Sequence, residues 1–150
     1  GASPVSVINS MSLAHDRGIR VERRVGHSHE DFETTLGVTV TTTVRSTTVV
    51  GAMVGEQGRI VRIDDFKVDF VPEGHVIIPR NHDVPGVIGR VGSLLGESNI
   101  NIASYHQSRH DGGGEAIAAI AVDHEANEDL VKRLCALSDV IDVRQVSLGT

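Results

Sequence analysis

Asn81-His82-Asp83-Val84-Pro85-Gly86 puts an amide, an imidazole, a carboxylate and two backbone-shaping residues into six positions. The segment falls where an expected strand, His75 to Arg80, hands over to an expected helix, Val84 to Glu97. Asp83 is placed to act as the helix N-cap, with Pro85 in the first turn, where its missing N–H does no harm. A helix N-terminus offers free N–H groups and partial positive charge, which suits a carboxylate or phosphate. A carboxylate beside it suits an ammonium within ~4–6 Å. The two together fit a small zwitterion, an amino acid, and Asn101 at the start of the next strand can add a side-chain amide. No nucleophile–base pair accompanies them, so the chemistry is binding and no catalytic residue is assigned.

A helix start alone would explain Asp83 and Pro85. The glycines point further. Gly86, Gly89, Gly92 and Gly96 fall in one helix, and each interior glycine costs ~1 kcal/mol relative to alanine. At about 100° per residue, the last three form a stripe set ~130° away from the apolar Val87, Ile88, Val91, Leu94 and Leu95. A stripe off the core face lets a packed helix or a ligand come close.

The elements that must position this segment follow from composition and order. The 150 residues carry 14 Lys/Arg against 20 Asp/Glu, a net charge of −6, and only four aromatic side chains. That balance argues against a nucleic-acid partner, which wants a basic footprint. The length excludes a complete two-lobed dehydrogenase or kinase of roughly 300 residues. No apolar run approaches the ~20 residues of a membrane span. Gly1-Ala2-Ser3 has neither a methionine nor the apolar core of a signal peptide, so it reads as an artificial start. The lone Cys135 excludes an intrachain disulfide and a multi-cysteine zinc site. The expected location is cytoplasmic.

Valine, isoleucine and threonine are abundant, 22, 12 and 9 residues, and β-branched side chains favour strands. Two unequal parts are expected, 1–73 and 74–150. In the first, Asn9 or Ser10 caps a short helix through Met11–Arg17, which Gly18 stops. Strands are expected at Ile19–Val25, Thr34–Val44, Thr47–Val54, Arg59–Ile63 and Phe66–Phe70, joined by turns at Gly55–Gly58 and Asp64-Asp65. This is a partial antiparallel-sheet domain with little apolar material for two faces. The second part reads as strand, helix, Asn101–Arg109 strand, Glu115–Val122 strand, helix capped by Asn127, and Val140–Leu148 strand. The order β-α-β-β-α-β is the ferredoxin-like arrangement, an α+β fold. Its helices cover one sheet face, so the other face or an edge is expected to be buried in a dimer.

These residues carry a resemblance. Residues 74–148 resemble an ACT domain, the small-molecule regulatory module of amino-acid metabolism, through Asn81–Gly89, Asn99-Ile100-Asn101-Ile102-Ala103 and Gly113-Gly114-Glu115-Ala116. Val49–Gly55 and Arg59–Phe66 resemble the intervening domain of D-3-phosphoglycerate dehydrogenase, as does Ile8-Asn9-Ser10 through Ile19. The resemblance implies a regulatory C-terminal fragment of an enzyme that oxidises 3-phosphoglycerate with NAD in serine synthesis and is inhibited by L-serine. It implies ACT domains paired edge to edge into a homo-oligomer, with serine between partners. Asn81 and Asp83 would then hold the amino group and hydroxyl, and the N–H groups of Gly86 and Val87, beside Pro85, the carboxylate. Asn101 would reach across from the partner. Arg59, Arg62 and Lys67 are the implied candidates for a phosphate or substrate site. The glycines of Gly86 to Gly96 do not spell G-x-G-x-x-G, so no NAD site is assigned and no cofactor is expected in this chain. Val84 stands where many relatives carry a polar residue.

Two other readings compete: the regulatory part of an iron–sulfur L-serine dehydratase, and a structural dimerisation domain without effector binding. His106 and His110 are spaced i,i+4 on a strand, where that spacing does not converge, and His27 and His29 flank a polar loop. No metal site is assigned to either pair. Cys135 lies beside Leu130 and Leu134 and is expected to be a partly buried, unreactive thiol.

Overall fold

The computed structural model describes residues 10–18, 20 and 34–149. The expected strand Ile19–Val25 apart from Arg20, the loop with His27 and His29, and Asn9 lie outside the described residues. Helix α1 spans Ser10–Asp16, and Gly18 follows it in the left-handed region, φ +69°, its N–H donating to His15 O at 2.9 Å.

Strands β1 (Thr35–Thr41), β2 (Ser46–Val54), β3 (Gln57–Ile63) and β4 (Phe66–Phe70) form an antiparallel sheet in chain order. Its hairpins turn at Gly55-Glu56, with Gly55 at φ +61°, and at Asp64-Asp65, with Asp64 at φ +49°. Asp64 secures its turn by accepting the Thr48 N–H on Oδ1 and donating its own N–H to Thr48 O, both at 2.7 Å.

The second sheet is built from β5 (Gly74–His82), β6 (Ile102–Arg109), β7 (Glu115–Val122) and β8 (Val140–Leu148), in the order β6-β7-β5-β8, with α2 (Val87–Glu97) and α3 (Glu128–Cys135) between strands. All its pairings are antiparallel. Val87, Val91, Leu94 and Leu95 of α2 and Leu130 and Leu134 of α3 pack on Ile77, Ala118, Ile120, Val122 and Val143. Ile88 stays half exposed at 49%, because it lies at the rim of the buried stripe, between that stripe and the glycines. Asn127 caps α3, its Oδ1 accepting the Leu130 N–H at 2.8 Å. Cys135 is exposed rather than partly buried: one residue past Leu134 is a rotation of about 100°, which carries the thiol off the core stripe.

The far face of the second sheet is not left open for a partner. Phe66, Val68 and Phe70 alternate onto it from β4 and pack with Ile63, Val76, Ile117 and Ala119 in a second apolar cluster. The two sheets therefore share a core within one chain, and the argument for a dimer from an uncovered face fails. Among the described residues the two edges of this sheet, β6 and β8, have no further strand partner, and a free edge is itself a pairing surface.

Candidate functional site

Alternation along β5 decides where the polar segment points. Ile77 faces the helices and Val76 and Ile78 face β4, so Arg80 falls on the β4 side and Asn81 on the helix side. Asn81 pairs with Ala116 on β7, and Ala116 pairs with Arg109 on β6. Asn81, Ala116 and Arg109 thus form one row across the helix-side face, at the end where α2 begins.

Asn81 is 2% exposed. Its Nδ2 donates to His82 O at 2.7 Å, whereas its buried Oδ1 has no partner. The neighbouring carbonyl fixes this orientation, because the flipped amide would set two acceptors against each other. An unmet buried acceptor costs about 1–3 kcal/mol, so a donor supplied from outside is favoured there.

Helix α2 starts later than the sequence indicates. Gly86, not Asp83, occupies the N-cap position at φ +90°, and no side chain caps the helix. Pro85 accordingly sits in the preceding turn rather than the first helical turn. The backbone conformation favours glycine here, and an added Cβ at Gly86, 2.9 Å from Arg90 Nη1, would push only the end of that flexible side chain. Arg90 in turn donates to Asp139 Oδ2 at 2.9 Å and to Ser138 O at 3.2 Å. That ties the helix start to the turn before β8, where Asp139 O also accepts the His82 N–H at 2.8 Å.

Freed from capping, Asp83 does something else. Its N–H donates to Gly114 O at 3.1 Å, and its Oδ2 meets Arg109 Nε at 3.3 Å. Asp83 is largely shielded, with its side chain 20% exposed, whereas that of Arg109 is 74% exposed. Acceptors from Asn81 and Asp83, the uncapped start of α2 at Gly86 and Val87, and the Arg109 cation therefore meet at one end of the helix layer. The sequence reading missed Arg109, Arg90 and Asp139. Only the register of β6 on β7 brings Arg109 to Asp83, and local pattern carries no signal of it.

Asn101 lies elsewhere in the chain. It flanks the row Ile102–Val122–His75 at the opposite end of the sheet, about 20 Å from Asn81 along β7 at ~3.3 Å per residue. Its Nδ2 donates to Asp123 Oδ2 at 3.0 Å.

The three basic candidates do not converge. Arg62, which donates from Nε to Asp64 O at 2.8 Å, lines a cleft of about 840 Å³ between the sheets together with Arg80, His82 and His110. Arg80 pairs with Glu115 at 2.6 Å and lies over the Phe66 ring, 5.6 Å from its centroid. His110 meets the same ring edge-on. Arg59 pairs with Asp69 and lines a separate cleft of about 210 Å³ with His106. Lys67 is exposed and sits opposite Arg62 in the ladder. No group of three or more metal-ligating side chains occurs among the described residues, and no helix there is long and apolar enough to cross a membrane.

Comparison with known proteins agrees with both sheets. The ACT domain family model matches residues 75–139, and the model of the D-3-phosphoglycerate dehydrogenase intervening domain matches residues 2–64. The chain is thus similar to the C-terminal regulatory region of D-3-phosphoglycerate dehydrogenases, an intervening domain followed by an ACT domain. Its relatives include the D-3-phosphoglycerate dehydrogenases of Bacillus subtilis, 35% identical over 97% of this chain, and of Archaeoglobus fulgidus, 34% identical over 98%. That of Methanocaldococcus jannaschii is 30% identical over 96%. The chain spans 28% of the length of the first two relatives. The segment discussed above is the first strand-to-helix connection of the region that the ACT model matches, and strands β1–β3 fall within the residues that the intervening-domain model matches.

Proposed function

We propose that this chain is the regulatory part of an NAD-dependent D-3-phosphoglycerate dehydrogenase, and that its ACT domain binds L-serine or another small amino acid as a feedback effector. The observation that carries the reading is the buried, unpartnered Asn81 Oδ1, two residues before the Asp83 carboxylate in the segment that leads into the uncapped start of α2. An ammonium donates to both acceptors, and the N–H groups of Gly86 and Val87, next to Pro85, take the carboxylate. Effector binding is the chain's own activity. Substrate and NAD belong to the parent enzyme.

A second copy completes the site. Antiparallel pairing of two β6 edges centred on Tyr105 sets the partner's Asn101 against Arg109, the end where Asn81 and Asp83 lie. The same pairing closes the free edge and makes a continuous eight-stranded sheet. Binding that differs between two arrangements of such a pair shifts their equilibrium by that difference, and ~1–3 kcal/mol would change affinity 5–150-fold. The separate Arg59 and Arg62/Lys67 positions are the places where a phosphate-bearing substrate or effector would be sought.

Calorimetric titration of the chain with L-serine, with D-serine and glycine as controls, tests the reading. Stereoselective heat at one ligand per chain or per pair is expected. No heat at millimolar L-serine would reject L-serine as the effector that this chain binds by itself.

A further inference from the structure

We infer that Arg109 is a built-in competitor for the effector's ammonium: it occupies the Asp83 carboxylate in the empty site and is displaced when ligand binds. The inference rests on the effector reading above and specifies how that site is regulated.

Asp83 is held in place independently of any ligand, its N–H bonded to Gly114 O and its side chain four-fifths shielded. A carboxylate so shielded favours having a cation beside it. Arg109 supplies one from the end of β6, through a single Nε contact at 3.3 Å. That contact is long for a charge-assisted hydrogen bond, which ordinarily falls near 2.7–2.9 Å. Asp83 is the only ion-pair partner of Arg109 among the described residues, and its exposed guanidinium can return to water at little cost. Other cations near this loop are committed elsewhere: Arg90 holds Asp139, and Arg80 holds Glu115 on the opposite sheet face.

A ligand ammonium is smaller than a guanidinium, and to reach the Asp83 carboxylate it must displace Arg109. Arg109, lodged on Asp83 alone, leaves Asn81 Oδ1 unpartnered. Binding therefore sacrifices the Arg109–Asp83 contact, and Arg109 raises the effector concentration needed to achieve it. A ligand without an ammonium gains nothing from displacing Arg109.

The test is Arg109→Gln, a change outside both apolar clusters, with the oligomeric state of the variant measured alongside because the β6 pairing proposed above sets Arg109 against the partner's Asn101. Exposed ion pairs contribute about 0.2–1 kcal/mol, so the upper end corresponds to a Kd for L-serine lowered about three- to five-fold in the variant, read by calorimetry. Glycine should gain by a similar factor and 3-hydroxypropionate should not gain. In the wild-type chain, the Arg109 Nε–H resonance should shift during serine titration as its acceptor is lost. Unchanged or weaker serine binding by Arg109→Gln would overturn the inference, the second outcome making Arg109 a ligand-holding group. Absence of serine binding by the wild-type chain would instead remove the effector reading, and this inference with it.

Discussion

The two sheets use the same hairpin grammar and similar residues, yet they bury them to opposite extents. On β7, Ala116 to Ile120 are five consecutive buried residues, because helices cover one face and β4 covers the other. A strand covered on both faces reads as a continuous apolar run rather than an alternation. On β1, only Thr35 is not exposed, and Leu36, Val38 and Val40 are 71%, 52% and 49% exposed. Apolar side chains at period two thus make a strand in both places, but what lies above and below decides whether they make a core.

Phe66 is where the two regions join, so it offers the largest break. Phe66→Ala should cost about 3–5 kcal/mol of the contact that holds the sheets together. Hydrogen exchange should show protection lost in β1–β4 and retained in β5–β8. Equal loss in both sheets would mean that they fold as one indivisible unit. Within each region the contrast can be read by matched truncations. Leu95→Ala, at 0% exposure, should destabilise by about 2–5 kcal/mol. Leu36→Ala should stay within about 0.5 kcal/mol. Denaturant midpoints measure both, and a large cost at Leu36 would show that β1 is covered in solution.

The smallest effect concerns Tyr105, the only tyrosine, whose buried hydroxyl has no partner. Burial by desolvation raises its pKa above the ordinary 10.0. The unfolded chain therefore ionises first as pH rises. The stability associated with neutral Tyr105 is intact below that value and is lost as pH climbs toward the raised folded one. Tyr105→Phe should be as stable as wild type or up to about 1 kcal/mol more stable at neutral pH. It should also lack this alkaline loss, which sets in as pH rises through the ordinary tyrosine value of 10.0. An identical alkaline profile in the variant would exclude Tyr105 as its source.

Strand and helix order in the second region was legible because each element has its own period and its own punctuation: Asn127 before α3, Gly113-Gly114 before β7, Gly74 before β5. The start of α2 was misplaced for a local reason. Asp83 and Pro85 look like cap and first turn, but Asp83 is drawn to Gly114 and Arg109 by pairings that depend on β6 and β7. The covered sheet face was illegible because it depends on β4, a five-residue strand whose Phe66, Val68 and Phe70 do not announce their partner. Of the candidate site, Asn81, Asp83, Gly86 and Val87 could be proposed from spacing and resemblance. Arg109, brought in from 26 residues away, required the sheet register.

Asp83→Ala tests the effector site most directly. Calorimetry should find no L-serine binding by the variant where wild type binds, with an unchanged melting profile and oligomeric state. Wild-type affinity in Asp83→Ala would contradict the assignment of the ammonium to this carboxylate, and with it the proposed site at the start of α2.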